Sequence, residues 1–117
     1  DMTMMPKSEM EAIAYHEGVP GHHMQIAIAQ ELEDIPTFRT QQFFTSYVEG
    51  WALYSERLAK EMGMYKEPIN DFGRLHSEMW RAIRLVLDTG IHAKKWTEAQ
   101  SIEYFINNTP ISEGQAK

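Results

Sequence analysis

Apolar residues recur every three or four positions along nearly the whole chain, which is the period of a helix face and not the alternation of a strand. The clearest run is Phe44, Tyr47, Val48, Trp51, Tyr54, Leu58 and Met62. It predicts a helix over residues 38–62 with these side chains along its apolar face and Gly63 as a left-handed cap. Gly50 in its interior predicts a close neighbouring backbone or ligand, since glycine there costs about 1 kcal/mol against Ala. Ser8-Glu9-Met10-Glu11 has the form of a capping box, so a first helix should open there, with Met10, Ile13 and Ala14 on one side, and reach His16-Glu17. Gly18-Val19-Pro20-Gly21 should end it, because glycine is conformationally free and proline lacks a donor.

A second helix is predicted over residues 20–33, with Met24, Ile28, Leu32 and Ile35 as its buried stripe, followed by a turn at Asp34-Ile35-Pro36-Thr37. Glu67-Pro68 opens another that carries Phe72, Leu75, Met79, Ile83, Val86 and Leu87 and ends at Thr89-Gly90. Thr97-Glu98-Ala99-Gln100 is a second capping box, opening a helix that buries Ile102, Phe105 and Ile106. No alternating pattern runs longer than a few residues. The expected architecture is all-α, an antiparallel bundle of about five helices forming one domain over residues 1–117.

Charge and composition exclude several function classes. With 17 acidic and 11 basic side chains the net charge is −6, and no cluster of Lys and Arg is present to neutralise phosphates, so no nucleic acid partner is expected. Cysteine is absent, so any metal must be held by His, Asp or Glu. No apolar run approaches the roughly 20 residues that span a bilayer. Asp1 at the start, and the helix-start pattern in Ile111-Ser112-Glu113-Gly114-Gln115-Ala116-Lys117, read as an excised part of a longer protein. Met2, Met4 and Met5 are expected to lie against a part outside it.

The chemistry concentrates in His16-Glu17-Gly18-Val19-Pro20-Gly21-His22-His23. Its opening is that of the His-Glu-x-x-His zinc motif, in which two His one turn apart bind the ion and the Glu acts as general base. Here Pro20 stands where the second His would fall. On an unbroken helix His22 and His23 would rise about 9 to 10.5 Å above His16, too far to share an ion. The glycines and the proline supply a break that returns His22 or His23 to His16.

If the helices on either side of Pro36 form an antiparallel hairpin, residues equidistant from that point lie level. His22 or His23 then faces Glu49, and His16 lies nearest Glu56. Glu49 and Glu56 are two turns apart on one face. Two His and one Glu with an open position is the donor set of a catalytic zinc site. Glu49 is the expected third ligand and Glu17 the expected base, taking a proton from water as it attacks a carbonyl. Glu56 either orients a ligand imidazole or pairs with Lys60 one turn on. Downstream, Arg81 or Arg84 is a candidate to grip a substrate carboxylate, Asp88 to pair with Arg84, and His92 to donate to a developing oxyanion.

Three blocks, His16-Glu17-Gly18-Val19-Pro20-Gly21-His22-His23-Met24-Gln25, Glu49-Gly50-Trp51-Ala52-Leu53-Tyr54-Ser55-Glu56-Arg57-Leu58 and Asp88-Thr89-Gly90-Ile91-His92, resemble the large bacterial family catalogued as domain of unknown function 885. The blocks stand in family order and cover most of the chain. The family is similar to zincin-type metallopeptidases of the Glu-ligand kind, is largely helical and several times longer, and some of its members look like secreted lipoproteins. The resemblance implies a zinc-dependent hydrolase of peptide or small amide substrates. It carries metal binding to His16, to His22 or His23 and to Glu49, and the base to Glu17. It leaves the compartment open between the periplasm, as a lipoprotein, and the cytoplasm. A rival reading is a metal-free helical module that binds peptides or a partner through the face around Trp51 and Tyr54. A third is an inactive fragment that dimerises through surface left bare by truncation.

Overall fold

A computed structural model describes residues 6–110 and 114; the expectations for Met2, Met4 and Met5, and for the helix start at Ile111, lie outside them. The all-α expectation holds, with no strand among the described residues. A 3-10 turn at Lys7–Glu9 leads into α1 (Met10–Glu17), followed by α2 (His22–Glu31), the short α3 (Thr37–Gln41), α4 (Thr45–Glu61), α5 (Pro68–His92) and α6 (Glu98–Asn108). No described helix is long and apolar enough to cross a membrane. The chain divides into two compact units, one ending at Leu75 and the other beginning at His76.

In the first unit α1 and α2 pack on α4. The face of α4 that receives them is made of Ala52, Ser55, Glu56 and Ala59, all buried, and spaced as one helix face. Small side chains let helix backbones come close. From α1 the buried residues are Ala12 and His16, and Ala12, Ala59 and Tyr65 form the apolar core with Tyr15 against it. Tyr15 and Tyr65 meet edge to face at 5.3 Å.

The Glu11 carboxylate ties this core together. It accepts hydrogen bonds from the backbone N–H of Tyr65 (3.0 Å), the Asn70 amide (2.7 Å) and the Tyr15 hydroxyl (3.1 Å). These contacts explain why the predicted capping box at Ser8 does not form. Glu11 is spent on the segment between α4 and α5, α1 starts at Met10 without a side-chain cap, and the Ser8 carbonyl instead lies against Gly73. Burial raises the Tyr65 phenol well above its ordinary range, and the charge of Glu56 adds to that. Asp71 accepts from Lys60 and from Arg74, each at 2.9 Å. The hydrogen bond from Lys60, helped by Arg74, holds its carboxyl below the usual range against the opposing effect of burial.

In the second unit Trp80 meets Phe105 edge to face at 5.0 Å, and Ile83 and Phe105 are buried. The capping box at Thr97 forms as expected, with Gln100 N–H donating to the Thr97 hydroxyl and Thr97 N–H to the Gln100 side chain. Gly63 takes the left-handed conformation at φ 86°.

Several expectations are corrected. The helix predicted over residues 38–62 is two, because residues 42–44 run extended, and neither Gly nor Pro signals that break. The second helix is shorter than expected, starting at His22. α5 runs through Gly90 to His92. Gly90 is there because a Cβ would fall 2.4 Å from the Trp96 ring. Gly50 has open space where a Cβ would point. Most of the apolar stripes face outward: Tyr47 and Tyr54 on α4 with Phe44 and Met62 flanking it, Ile28 on α2, Leu32 and Ile35 beyond it, Phe72, Leu75 and Met79 on α5, and Met10 on α1 are all exposed. On α1, α2 and α4 the buried positions are instead small and polar ones, among them Ala12, Gln25, Ala52 and Ser55.

Candidate metal centre

The site is built where α1 ends and α2 begins, against α4. The Gly18 N–H closes the last turn of α1 on the Ala14 carbonyl at 2.9 Å. The chain then doubles back, and Gly21 passes directly over the end of α1. A Cβ on Gly21 would lie 1.9 Å from the His16 carbonyl oxygen and 2.3 Å from that of Tyr15. Only a residue without a side chain allows this approach. It brings His22 beside His16, with ring centroids 4.8 Å apart and planes at 90°.

α4 supplies the carboxylates. His16 Nδ1 lies 2.7 Å from Glu56 Oε1, in a buried hydrogen bond. Glu56 is only 2% exposed. An ionised carboxylate accepts, so Nδ1 is the donor in that bond and Nε2 is the ring's other nitrogen. That Nε2 lies 3.6 Å from Glu49 Oε2, and His22 Nε2 lies 3.7 Å from Glu49 Oε1. Both separations exceed a hydrogen bond. They are near the roughly 3.4 Å that separates two ligand atoms, each about 2.0–2.1 Å from one tetrahedral ion.

His16, His22 and Glu49 each offer a ligand atom, all within 4.8 Å of one another. The buried Nδ1 of His22 has no hydrogen-bond partner among the described residues. Two imidazoles and a carboxylate at these separations fit a divalent cation of the zinc kind, and the carboxylates of Glu49 and Glu56 favour one.

His22 lies in this cluster, whereas His23 is exposed. Glu17, the last residue of α1, is exposed beside His16 in sequence. Lys60, the rival partner for Glu56, is taken by Asp71. Arg81, Arg84, Asp88 and His92 belong to the second unit, where His92 Nε2 lies 3.5 Å from Asp88 Oδ1 and both are exposed.

Two residues contribute in a way the sequence reading did not anticipate. Trp51 and Ser55 of α4 both donate to the Pro20 carbonyl, at 2.8 and 3.1 Å. An acceptor on the backbone leaves no trace in residue identity. The orienting part of Glu56 can be tested directly: Glu56→Gln should weaken zinc affinity about 10- to 100-fold, because an amide holds the imidazole less firmly than a carboxylate. Competition against a chelator of known affinity reads this. An unchanged constant would show that Glu56 does not orient His16.

An all-helical protein with a two-His, one-Glu cluster is the class that fold and site define. The chain belongs to the family described as "Bacterial protein of unknown function (DUF885)", which it matches over residues 1–117. It is also similar to a solved structure described as "the putative lipoprotein from Colwellia psychrerythraea", with 45% identity and a TM-score of 0.90. That match covers 99% of this chain and 20% of the other, so the chain spans a fifth of the length of that relative. No curated protein matches it.

Proposed function

We propose that this chain carries the metal centre of a zinc-dependent hydrolase that cleaves peptide or amide bonds. The observation that supports this reading is that His16, His22 and Glu49 each bring a ligand atom within 4.8 Å of the others. When bound there, zinc would supply Lewis acidity, polarising a carbonyl and lowering the pKa of water. The chain's own groups do the rest. Glu56 holds the His16 ring in one orientation through Nδ1. Glu17 takes a proton from the attacking water on a carboxylate oxygen and passes it to the nitrogen of the leaving amine. Glu56, bonded to His16, is buried, whereas the Glu49 carboxylate is exposed and leaves its side of the site for substrate.

The rival reading, a metal-free module that binds a partner through aromatic side chains, draws on the exposure of Tyr47 and Tyr54. Metal dependence separates the two. Glu17→Gln keeps the size of the side chain and removes the base, so turnover of a mixed peptide substrate pool by the whole protein should fall by at least about 100-fold while zinc content stays the same. Mass spectrometry of the pool reads the first quantity and elemental analysis the second. Equal turnover in the variant would remove Glu17 from the mechanism, and turnover insensitive to chelation would remove the metal.

A further inference from the structure

The Pro20–Gly21 peptide is fixed from two sides. On one, the Gly21 backbone abuts the carbonyl oxygens of Tyr15 and His16 and cannot move closer. On the other, the Pro20 carbonyl receives the Trp51 indole N–H at 2.8 Å and the Ser55 hydroxyl at 3.1 Å. His22, the first residue of α2, follows immediately. Trp51 and Ser55 are one turn apart on the helix that also presents Glu49 and Glu56. A single helix therefore places one ligand directly, orients a second through its ring nitrogen, and fixes the backbone just ahead of the third.

We propose that Trp51 and Ser55 are positioning residues, which hold the Pro20 carbonyl against α4 and thereby set His22 opposite Glu49. This rests on the metal reading above. Trp51 carries more of the effect. The Ser55 hydroxyl has one proton for two acceptors, since the Trp51 carbonyl also lies 2.9 Å away, whereas the indole N–H has Pro20 alone among the described contacts. Neither side chain is a ligand, so both act through the place of the His22 ring. Small displacements matter because a metal site needs ligand distances within about 0.2 Å.

The test uses the whole protein with Co2+ as the probe, because the visible bands of bound cobalt report ligand geometry. Trp51→Phe keeps an aromatic ring and removes the N–H. Its cobalt affinity should fall about 10- to 100-fold, and at saturating cobalt its visible bands should shift from those of the wild type. A merely structural role would reduce the folded fraction and leave the spectrum of the bound fraction unchanged. Ser55→Ala, read in the same way, should show a smaller loss, and it decides the matter if Trp51→Phe does not fold. Wild-type affinity and an unshifted spectrum in the folded variants would overturn the positioning role while leaving the metal centre intact. Absence of cobalt binding by the folded wild type would instead overturn the metal reading, and this inference with it.

Discussion

Replacing Gly21 by Ala should destabilise the protein by about 3 kcal/mol, the upper range for forcing added volume into a packed site, and should weaken zinc binding by about a hundredfold or more. The reason is steric and local. The added Cβ would fall 1.9 Å from one backbone oxygen and 2.3 Å from another, and neither is the end of a side chain that could swing away. The loop must lift from the end of α1. Lifting it pulls the Pro20 carbonyl from Trp51 and Ser55 and carries His22 away from Glu49, so stability and metal affinity fall together. Denaturant titration and chelator competition on the same preparation measure the two losses. Gly50→Ala is the matched control, since a Cβ there meets nothing within 4 Å. It should be neutral or slightly stabilising, because Ala is the better helix former. If Gly21→Ala behaved like Gly50→Ala, the close crossing of the loop over α1 would not describe the protein.

The elements were legible because they depend on local rules. The capping box at Thr97 and the cap at Gly63 are read from neighbouring residues and form as expected. Reflection about Pro36 also worked as a geometric rule. It set His16 level with Glu56 and the His22-His23 pair level with Glu49, and the structure brings His16 to Glu56 and His22 to Glu49.

What the sequence concealed was which face of each helix turns inward. Periodicity identifies an apolar face without saying what it meets. On α4 Tyr47 and Tyr54 are exposed, while Ala52, Ser55, Glu56 and Ala59 receive α1 and α2. A face of two alanines, a serine and a glutamate looks polar in a hydropathy pattern, yet its small side chains let the Gly18–Gly21 break approach α4 closely enough for the Pro20 carbonyl to accept from Trp51 and Ser55. Glu11 misled for a related reason. It stands three residues after Ser8 as a cap partner would, but Tyr65 and Asn70 from beyond α4, with Tyr15 one turn along α1, compete for its carboxylate and win. The choice between His22 and His23 depended on the path of that break, which Gly21 decides through a backbone contact that no residue pattern encodes.

Glu49 gives the most direct test of the metal centre. It is 59% exposed as a side chain, so in the absence of metal Glu49→Ala should change stability by no more than about 0.5 kcal/mol, as surface substitutions do. Yet its two oxygens face both His16 and His22, and no other carboxylate faces His22 among the described contacts. Loss of zinc with retention of fold is therefore the signature that separates a ligand from a solvated helix carboxylate. The deciding measurement is the zinc content of the whole protein, wild type beside Glu49→Ala, by elemental analysis after dialysis against a weak chelator, with circular dichroism to confirm the fold. One zinc per wild-type chain and none in the folded variant is the predicted result. A folded wild type without zinc, or a variant that keeps the full complement, would contradict the assignment of His16, His22 and Glu49 as a metal centre.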